Sequence, residues 1–535
     1  MKTMISSIIL ASCLALPLAS CSDSDAAPEQ KDWSTTTYFY SADAAMQDTY
    51  YKPTVGYVGD PMPFFDPVAG DFKVLYLQDF RPNPEGTYHP IWGVSTKDAA
   101  HYTSLGELVS CGTKKSQDAA IGTGSTIYDE ASKLYYTFYT GNKYLPTGDE
   151  SAQAVMVATS SDFKTWTKDR TFLLKGQDFG YDKTDFRDPF VFKGDDGKFH
   201  MLISTKKGGK GSLAEFVSDD LKNWTDNGVF MNMMWDRFYE CPDLFKMGDY
   251  WYLVYSEIHH AVRRVQYFKG RTLDELKACT ANDAGRWPDA HEGFLDSRGL
   301  YAGKTASDGT NRYLWGWCPT RSGKDNTAVG AEPAEPEWGG NLVCYKLIQH
   351  EDGTLTLGQV DAVSEKYNQD VAVEVKESQN MTEADGIYTL AGNAGQPDAY
   401  MLMGRLGNHN KISFTVTTSN EWDKFGISMV RGSDSKKYYT MVVNPENEND
   451  RKINFEEQGV EGKGFIAGID GYVFARPADN VYNVTIYTDN SICVMYINDV
   501  CSYTNRIYGI QKNCWSINSY NAANVKISNL KISQY

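Results

Sequence analysis

Cysteine is scarce in this chain, with ten in 535 residues, two of them within the first 21. The other eight are too few to staple a scaffold of this size, so the core must come from hydrophobic burial. A two-residue Asn498-Asp499 turn would set Tyr496, not Cys493, opposite Cys501, so no bridge is expected there. No Cys or His spacing reads as a zinc site, and the expected metal and cofactor complement is none. Long basic clusters are also lacking. The net charge is -17 and the pI about 5.0, a field that repels phosphate backbones and excludes nucleic acid as a partner. Neutral substrates remain compatible. The segment Lys207-Gly-Gly-Lys-Gly-Ser212 lacks the spacing of a phosphate-binding loop and reads as a hairpin turn. No apolar run is long enough to cross a bilayer. The stretch from Ile5 to Pro17 is too short and too interrupted.

That stretch follows Lys2 and precedes small residues, which is the pattern of an export signal. Leu18-Ala-Ser-Cys21 resembles a bacterial lipobox. The expectation is a signal peptide over 1–21, lipidation at Cys21 and a polar tether over 22–35. An exported lipoprotein would result, at the cell surface or facing the periplasm, touching the membrane through its lipid alone. Aromatics are plentiful: 13% of the chain, with 35 Tyr and 12 Trp. Strand formation explains most of them, and flat rings also suit sugar faces.

The chain repeats itself. Asp98, Asp162 and Asp220 each precede an aromatic (Tyr102, Trp166, Trp224) by four residues, at intervals of 64 and 58. The acid should fix a turn through backbone hydrogen bonds, and the ring should pack between sheets. A second unit opens each period. Asp60-Pro-Met-Pro-Phe-Phe leads to Phe72-Lys-Val-Leu-Tyr-Leu, and Gly124-Ser-Thr-Ile-Tyr leads to Leu134-Tyr-Tyr-Thr-Phe-Tyr. Asp188-Pro-Phe-Val-Phe, Glu240-Cys-Pro-Asp-Leu-Phe and a looser copy at Tyr301-Ala-Gly-Lys-Thr do the same. Each is a hairpin signal, and five such periods predict a five-bladed β-propeller over 36–362. In that fold the first strand of each blade lines a central channel. The openers Asp60, Ser125, Asp188 and Glu240 would therefore converge on one mouth, with Cys241 on the strand's other face. Beyond about residue 365, period-two segments such as Lys411-Ile-Ser-Phe-Thr-Val and Val525-Lys-Ile-Ser predict a β-sandwich over 363–535. The fold class is thus all-β.

Two carboxylates across a scissile bond are the minimum for glycoside hydrolysis: one attacks the anomeric carbon and the other donates a proton. A third can favour the cationic transition state and raise its neighbour's pKa. The residues alone leave the assignment open. Phe186-Arg-Asp-Pro189 and Glu240-Cys241, 52 residues apart from Asp188 to Glu240, resemble the "RDP" and "EC" signatures of glycoside hydrolase family 32, the β-fructofuranosidases. Gln78 after Leu75-Tyr-Leu, Trp92-Gly93 with Ser95-Thr-Lys-Asp98, Tyr139-Thr-Gly141, Leu295-Asp-Ser-Arg-Gly-Leu-Tyr-Ala302 and Leu314-Trp-Gly-Trp317 fit in order. The resemblance implies a propeller followed by a β-sandwich, with Asp60 as nucleophile, Glu240 as acid/base and Asp188 as transition-state stabiliser. It also implies sugar contacts from Tyr57, Gln78, Trp92, Thr123, Arg187, Asp296 and Trp315. Family members retain configuration, with nucleophile and acid about 5–5.5 Å apart.

The first motif departs from the pattern. The usual "WMNDPNG" is here Tyr57-Val-Gly-Asp-Pro-Met-Pro63, so Gly59 replaces an asparagine that contacts the fructose. Gly122-Thr123 replaces a usual Phe-Ser, and Ser297 a usual tyrosine. The expectation is an active, monomeric enzyme cleaving levan- or inulin-type fructans or fructo-oligosaccharides through a covalent fructosyl intermediate. An inverting arabinanase-like furanosidase, a non-catalytic fructan-binding lipoprotein and a fructan-making transferase are the competing readings.

Overall fold

Five blades of antiparallel strands radiate around a channel in the N-terminal part of the chain, blades 5 and 1 being joined in one sheet. The computed structural model describes residues 49–80, 88–232, 238–257, 264–279, 293–321, 336–392, 399–432, 438–445, 452–458, 472–520 and 523–535. The signal, Cys21 and the tether lie outside them. Blade 1 runs outward from Tyr57–Asp66 through Asp71–Asp79 and Ile91–Thr96 to Thr103–Val109. Blades 2 and 3 open on Ala120–Asp129 and Phe186–Lys193 and are four-stranded, while blade 4 opens on Glu240–Met247 and shows three strands among the described residues. Blade 5 opens on Tyr301–Ser307 and continues through Arg312–Arg321, Pro336–Gln349 and Leu355–Gly358. Its third strand meets the inner strand of blade 1 at Gly340 and Val58, which closes the ring.

The repeated acids do what their spacing implies. Asp98, Asp162 and Asp220 each accept two backbone N–H groups, from Ala100 and His101, Lys164 and Thr165, and Lys222 and Asn223. The residue after each acid is in the left-handed region: Ala99, Phe163 and Leu221. The acid's oxygen pins that turn, and the aromatic of the same repeat (Tyr102, Trp166 or Trp224) packs against a neighbouring core cluster.

The C-terminal part is a sandwich of eight- and seven-stranded sheets. Its strands alternate as the sequence does: His409–Thr418 reads half-buried then buried along its whole length. Phe414, Ile427, Met495 and Trp515 lie in the core between the sheets. The hairpin after Ile497 carries Asn498 and Asp499 with positive φ, but its loop is one residue longer than expected. Cys501 therefore faces Ile497 and Cys493 faces Asn505, and both thiols are free.

Candidate active site

One irregularity recurs in all five inner strands. The pairing register slips between Gly59 and Met62, between Gly122 and Gly124, opposite Leu202 and Ser204 (at Arg187 and Phe190), between Glu240 and Asp243, and between Tyr301 and Lys304. These are β-bulges, which re-aim side chains toward the mouth. The bulged residues are Asp60, Thr123, Asp188, Cys241 and Ala302. Four of them sit at positive φ: Asp60 at 32°, Asp188 at 58°, Cys241 at 51° and Ala302 at 52°. Such backbone strain in non-glycine residues gathers at functional sites. Thr123 lies outside that region, which suits a β-branched side chain.

The bulges bring the acids together. Asp60 accepts the Thr123 hydroxyl at 2.7 Å on one oxygen and the Trp317 indole N–H at 3.1 Å on the other. Both partners donate, which fixes the carboxylate's orientation. Asp188 accepts the Cys241 N–H at 2.9 Å, and its own N–H donates to Thr140 Oγ1 at 2.9 Å. Burial pushes the Asp188 carboxyl up to about 7; Arg187 opposes the shift, while Glu240 and Asp60 add to it. Glu240 accepts Arg187 Nη2 at 2.9 Å on one oxygen and the Tyr301 hydroxyl on the other. Arg187 also donates to Asp185 at 2.7 Å, and its guanidinium lies 3.8 Å from the centre of the Phe238 ring. Burial works against its charge, but Glu240 and Asp188 hold the guanidinium's pKa above the usual value.

Several expectations change here. Thr123, not Ser125, takes the ring position in blade 2. Ser125 accepts the Val191 N–H and donates to Pro189 O, tying blade 2 to blade 3. Cys241 does not turn to the other face. Its sulfur lies 3.9 Å from Thr123 Oγ1, and burial beside Asp60, Asp188 and Glu240 pushes the thiol up, so it stays protonated and inert.

Of the residues assigned to sugar contact, Thr123 and Arg187 join the acids. Tyr57 begins the same strand as Asp60 and is half-buried under the Lys52 ammonium, 4.7 Å from its ring centre. The others are engaged elsewhere. Gln78 is fully buried and donates to Val55 O, bracing the turn before blade 1. Trp92 packs on Phe80 with ring centres 5.8 Å apart. Trp315 is fully buried, and its N–H donates to Tyr102 at 3.1 Å. Asp296 is fully buried at the joint with the sandwich, where it accepts the Thr504 N–H at 2.8 Å, the Thr504 hydroxyl at 2.7 Å and the Ser502 hydroxyl at 3.0 Å. Its neighbour Ser297 donates to Thr504 O. Gln78, Trp315 and Asp296 are thus buried packing and joining residues in this structure, a correction to the expected sugar contacts, while Trp92 keeps a half-buried ring.

Trp317 and Tyr301 also join the acids, and the sequence carries a signal for each. Trp317 lies two residues beyond Trp315 on the same strand face, one pleat nearer the mouth. Tyr301 holds, in blade 5, the position of Arg187 and Glu240 in blades 3 and 4.

The family model for the glycosyl hydrolases family 32 N-terminal domain matches residues 50–361, and that for the GH32, BT1760-like, C-terminal domain matches residues 353–532. The chain belongs to glycoside hydrolase family 32. An insoluble β-fructofuranosidase isoenzyme of Arabidopsis thaliana is 26% identical over 310 residues, covering 52% of this chain and 50% of the relative. The sucrose-6-phosphate hydrolase of Escherichia coli is 26% identical over 219 residues, covering 39% and 43%. The chain thus spans about half or less of these curated relatives' lengths. Solved structures share the fold. The Aspergillus awamori exo-inulinase superposes with a TM-score of 0.68 at 16% identity, covering 91% of this chain and 98% of the other. The Lactobacillus gasseri sucrose-6-phosphate hydrolase gives 0.66 at 18% identity, covering 91% and 94%.

Proposed function

We propose that this family 32 chain is a retaining β-fructofuranosidase acting on fructans of the levan or inulin type, or on fructo-oligosaccharides. The observation that carries the reading is the convergence of Asp60, Asp188 and Glu240 on one mouth through bulges at matching positions of three blades. In this reading Asp60, its oxygens fixed by Thr123 and Trp317, attacks the anomeric carbon as Glu240 protonates the leaving oxygen. A covalent bond forms between Asp60 and the fructosyl residue, and the glycosidic bond breaks. Glu240 then takes a proton from water, which attacks the same carbon and frees Asp60. Asp188 holds substrate hydroxyls and favours the positive charge of the transition state. Arg187 and Tyr301 orient Glu240 between two donors.

The substrate is the only partner required, and the protein acts as a monomer. The N-terminal signal supports export and lipidation at Cys21, which would place the enzyme on a membrane surface through its lipid alone. The test is a substrate panel. The soluble form from Ala27 onward is incubated with levan, inulin, short fructo-oligosaccharides and arabinan, with Glu240→Gln as control. Fructose or fructo-oligosaccharide release that disappears in the variant is expected. Binding without release by the unaltered protein would overturn the reading, and release from arabinan alone would favour a different furanosidase. Retention is read from the anomer first formed, by NMR.

A further inference from the structure

Lys304 is a cation buried inside the ring of inner strands. It stands two residues past the bulge at Ala302 in blade 5 and is 2% exposed. Its Nζ donates to Gly124 O of blade 2 at 2.7 Å and lies 5.3 Å from the centre of the Phe190 ring of blade 3. Blades 5 and 2 flank blade 1 in the ring, so the side chain spans the channel. A close carbonyl and an aromatic face both suit an ammonium. Gly124 directly follows Thr123, the donor to Asp60, and Phe190 lies two residues after Asp188. The ammonium is thereby anchored to the two segments that hold Asp60 and Asp188.

The groups around it divide into those with a cation of their own and those without. Burial draws the Lys304 pKa down, while Cys241, Asp243, Asp188 and Asp60 oppose that shift. Asp243 accepts the Thr305 N–H at 2.7 Å and faces Arg312, whose guanidinium donates to Thr305 Oγ1 at 2.8 Å. Cys241 keeps its proton. Glu240 pairs with Arg187, which also pairs with Asp185, and accepts the Tyr301 hydroxyl. Asp60 and Asp188 are held instead by neutral donors: the Thr123 hydroxyl, the Trp317 indole and the Cys241 N–H. Among the described residues Lys304 forms no ion pair, so its charge acts across space.

We propose that Lys304 is a positioning residue for the reaction, a fixed positive charge spanning the channel that lets Asp60 and Asp188 ionise side by side. Two carboxylates in one site otherwise tend to share a proton, since like charges resist joint ionisation. The nucleophile must be a carboxylate to attack, and it must leave as one when the covalent bond breaks. A cation near it favours both events. Being buried, Lys304 touches no sugar, and its effect reaches the substrate through the acids. The role rests on the fructosidase reading for the reaction, whereas the electrostatic relation stands apart from it.

Titration of the carboxyls tests that relation without turnover. Asp188 is followed by ¹³C NMR in protein labelled at its aspartate carboxyls, the resonance being assigned by its absence from Asp188→Asn. Lys304→Gln keeps a donor for Gly124 O and loses the charge. It should move the Asp188 midpoint up by about one pH unit and move the acid limb of kcat/KM for fructo-oligosaccharides up in step, with KM held within about threefold. Lys304→Met loses donor and charge together and should give the same two shifts. A merely structural lysine would lower stability and leave both in place. The proposal is overturned if the Asp188 midpoint in either variant stays within about 0.2 unit of the unaltered protein's, or if it moves while the acid limb does not. Should one variant fail to fold, the other decides alone. A shifted midpoint in a protein that cleaves no fructoside would sink the fructosidase reading and leave the electrostatic relation standing. Cleavage with an unmoved midpoint and acid limb would do the reverse.

Discussion

Two buried carboxylates, Asp188 at the channel mouth and Asp296 at the joint between propeller and sandwich, show how one residue type serves two ends. Both are raised by burial. Asp296 meets that cost with donors to both oxygens: the N–H groups of Ser297 and Thr504 and the hydroxyls of Ser502 and Thr504. Asp188 accepts the Cys241 N–H and sits in the field of Glu240 and Asp60. Arg506 reinforces the joint, donating to Pro319 O, Cys318 O and Asn341 Oδ1 from the sandwich side. An acid saturated with donors holds a structure together. An acid crowded with other acids keeps capacity for a ligand.

The comparison can be broken from either side. The largest effect should come at the mouth. Glu240→Gln is expected to cut kcat/KM for fructo-oligosaccharides by about 10³-fold or more, with the melting temperature within 2 °C (about the noise of a scan). At the joint the pattern inverts. Asp296→Ala strands the Thr504 and Ser502 donors and should cost about 3 kcal/mol in denaturant unfolding, while kcat per folded molecule is kept. If Asp296→Ala abolished turnover in folded protein, the division between mouth and joint would fail.

A pH series sharpens the difference. Asp188 holds its proton up to about 7 when folded, against 3.8 ordinarily. The folded chain therefore binds more protons between those values. The stability that this group contributes is full below about pH 4 and lost as pH rises to about 7. Across that range the unaltered protein should lose about 4 kcal/mol relative to Asp188→Asn, which cannot titrate. Parallel curves would remove the raised carboxyl. The smallest effect separates two indoles on one strand. Trp317→Phe removes a donor to Asp60 and should lower kcat/KM about tenfold. Trp315→Phe should leave kcat/KM unchanged and cost about 1 kcal/mol of stability through its lost bond to Tyr102.

Much of the architecture was legible because strands, turns and periods are local. The acid-to-aromatic interval marked the turns at Asp98, Asp162 and Asp220, and the hairpin repeat marked five blades. Period-two alternation marked the sandwich. The three acids were legible because their motifs recur in phase with the blades. Which residues surround them was less so. Trp315 and Trp317 differ by one pleat, and only the register with Tyr301 tells which reaches Asp60. Asp296 looked like a site residue because its stretch, Leu295 to Ala302, resembles a motif of the family. Its partners Ser502 and Thr504 lie more than 200 residues away, and no local pattern announces such a pairing.

The repeated bulge has a consequence for how such a site can change. Because every blade bulges at the matching point of its inner strand, the mouth offers five comparable sockets, each addressed by one or two residues of a different repeat. Chemistry in one socket can be rewritten without rebuilding the others. Here two sockets hold acids at the bulge, a third pairs a thiol with Glu240, and the remaining two present Thr123 and Ala302. The scaffold is a keyboard with fixed keys, and the protein's identity lies in which residues press them.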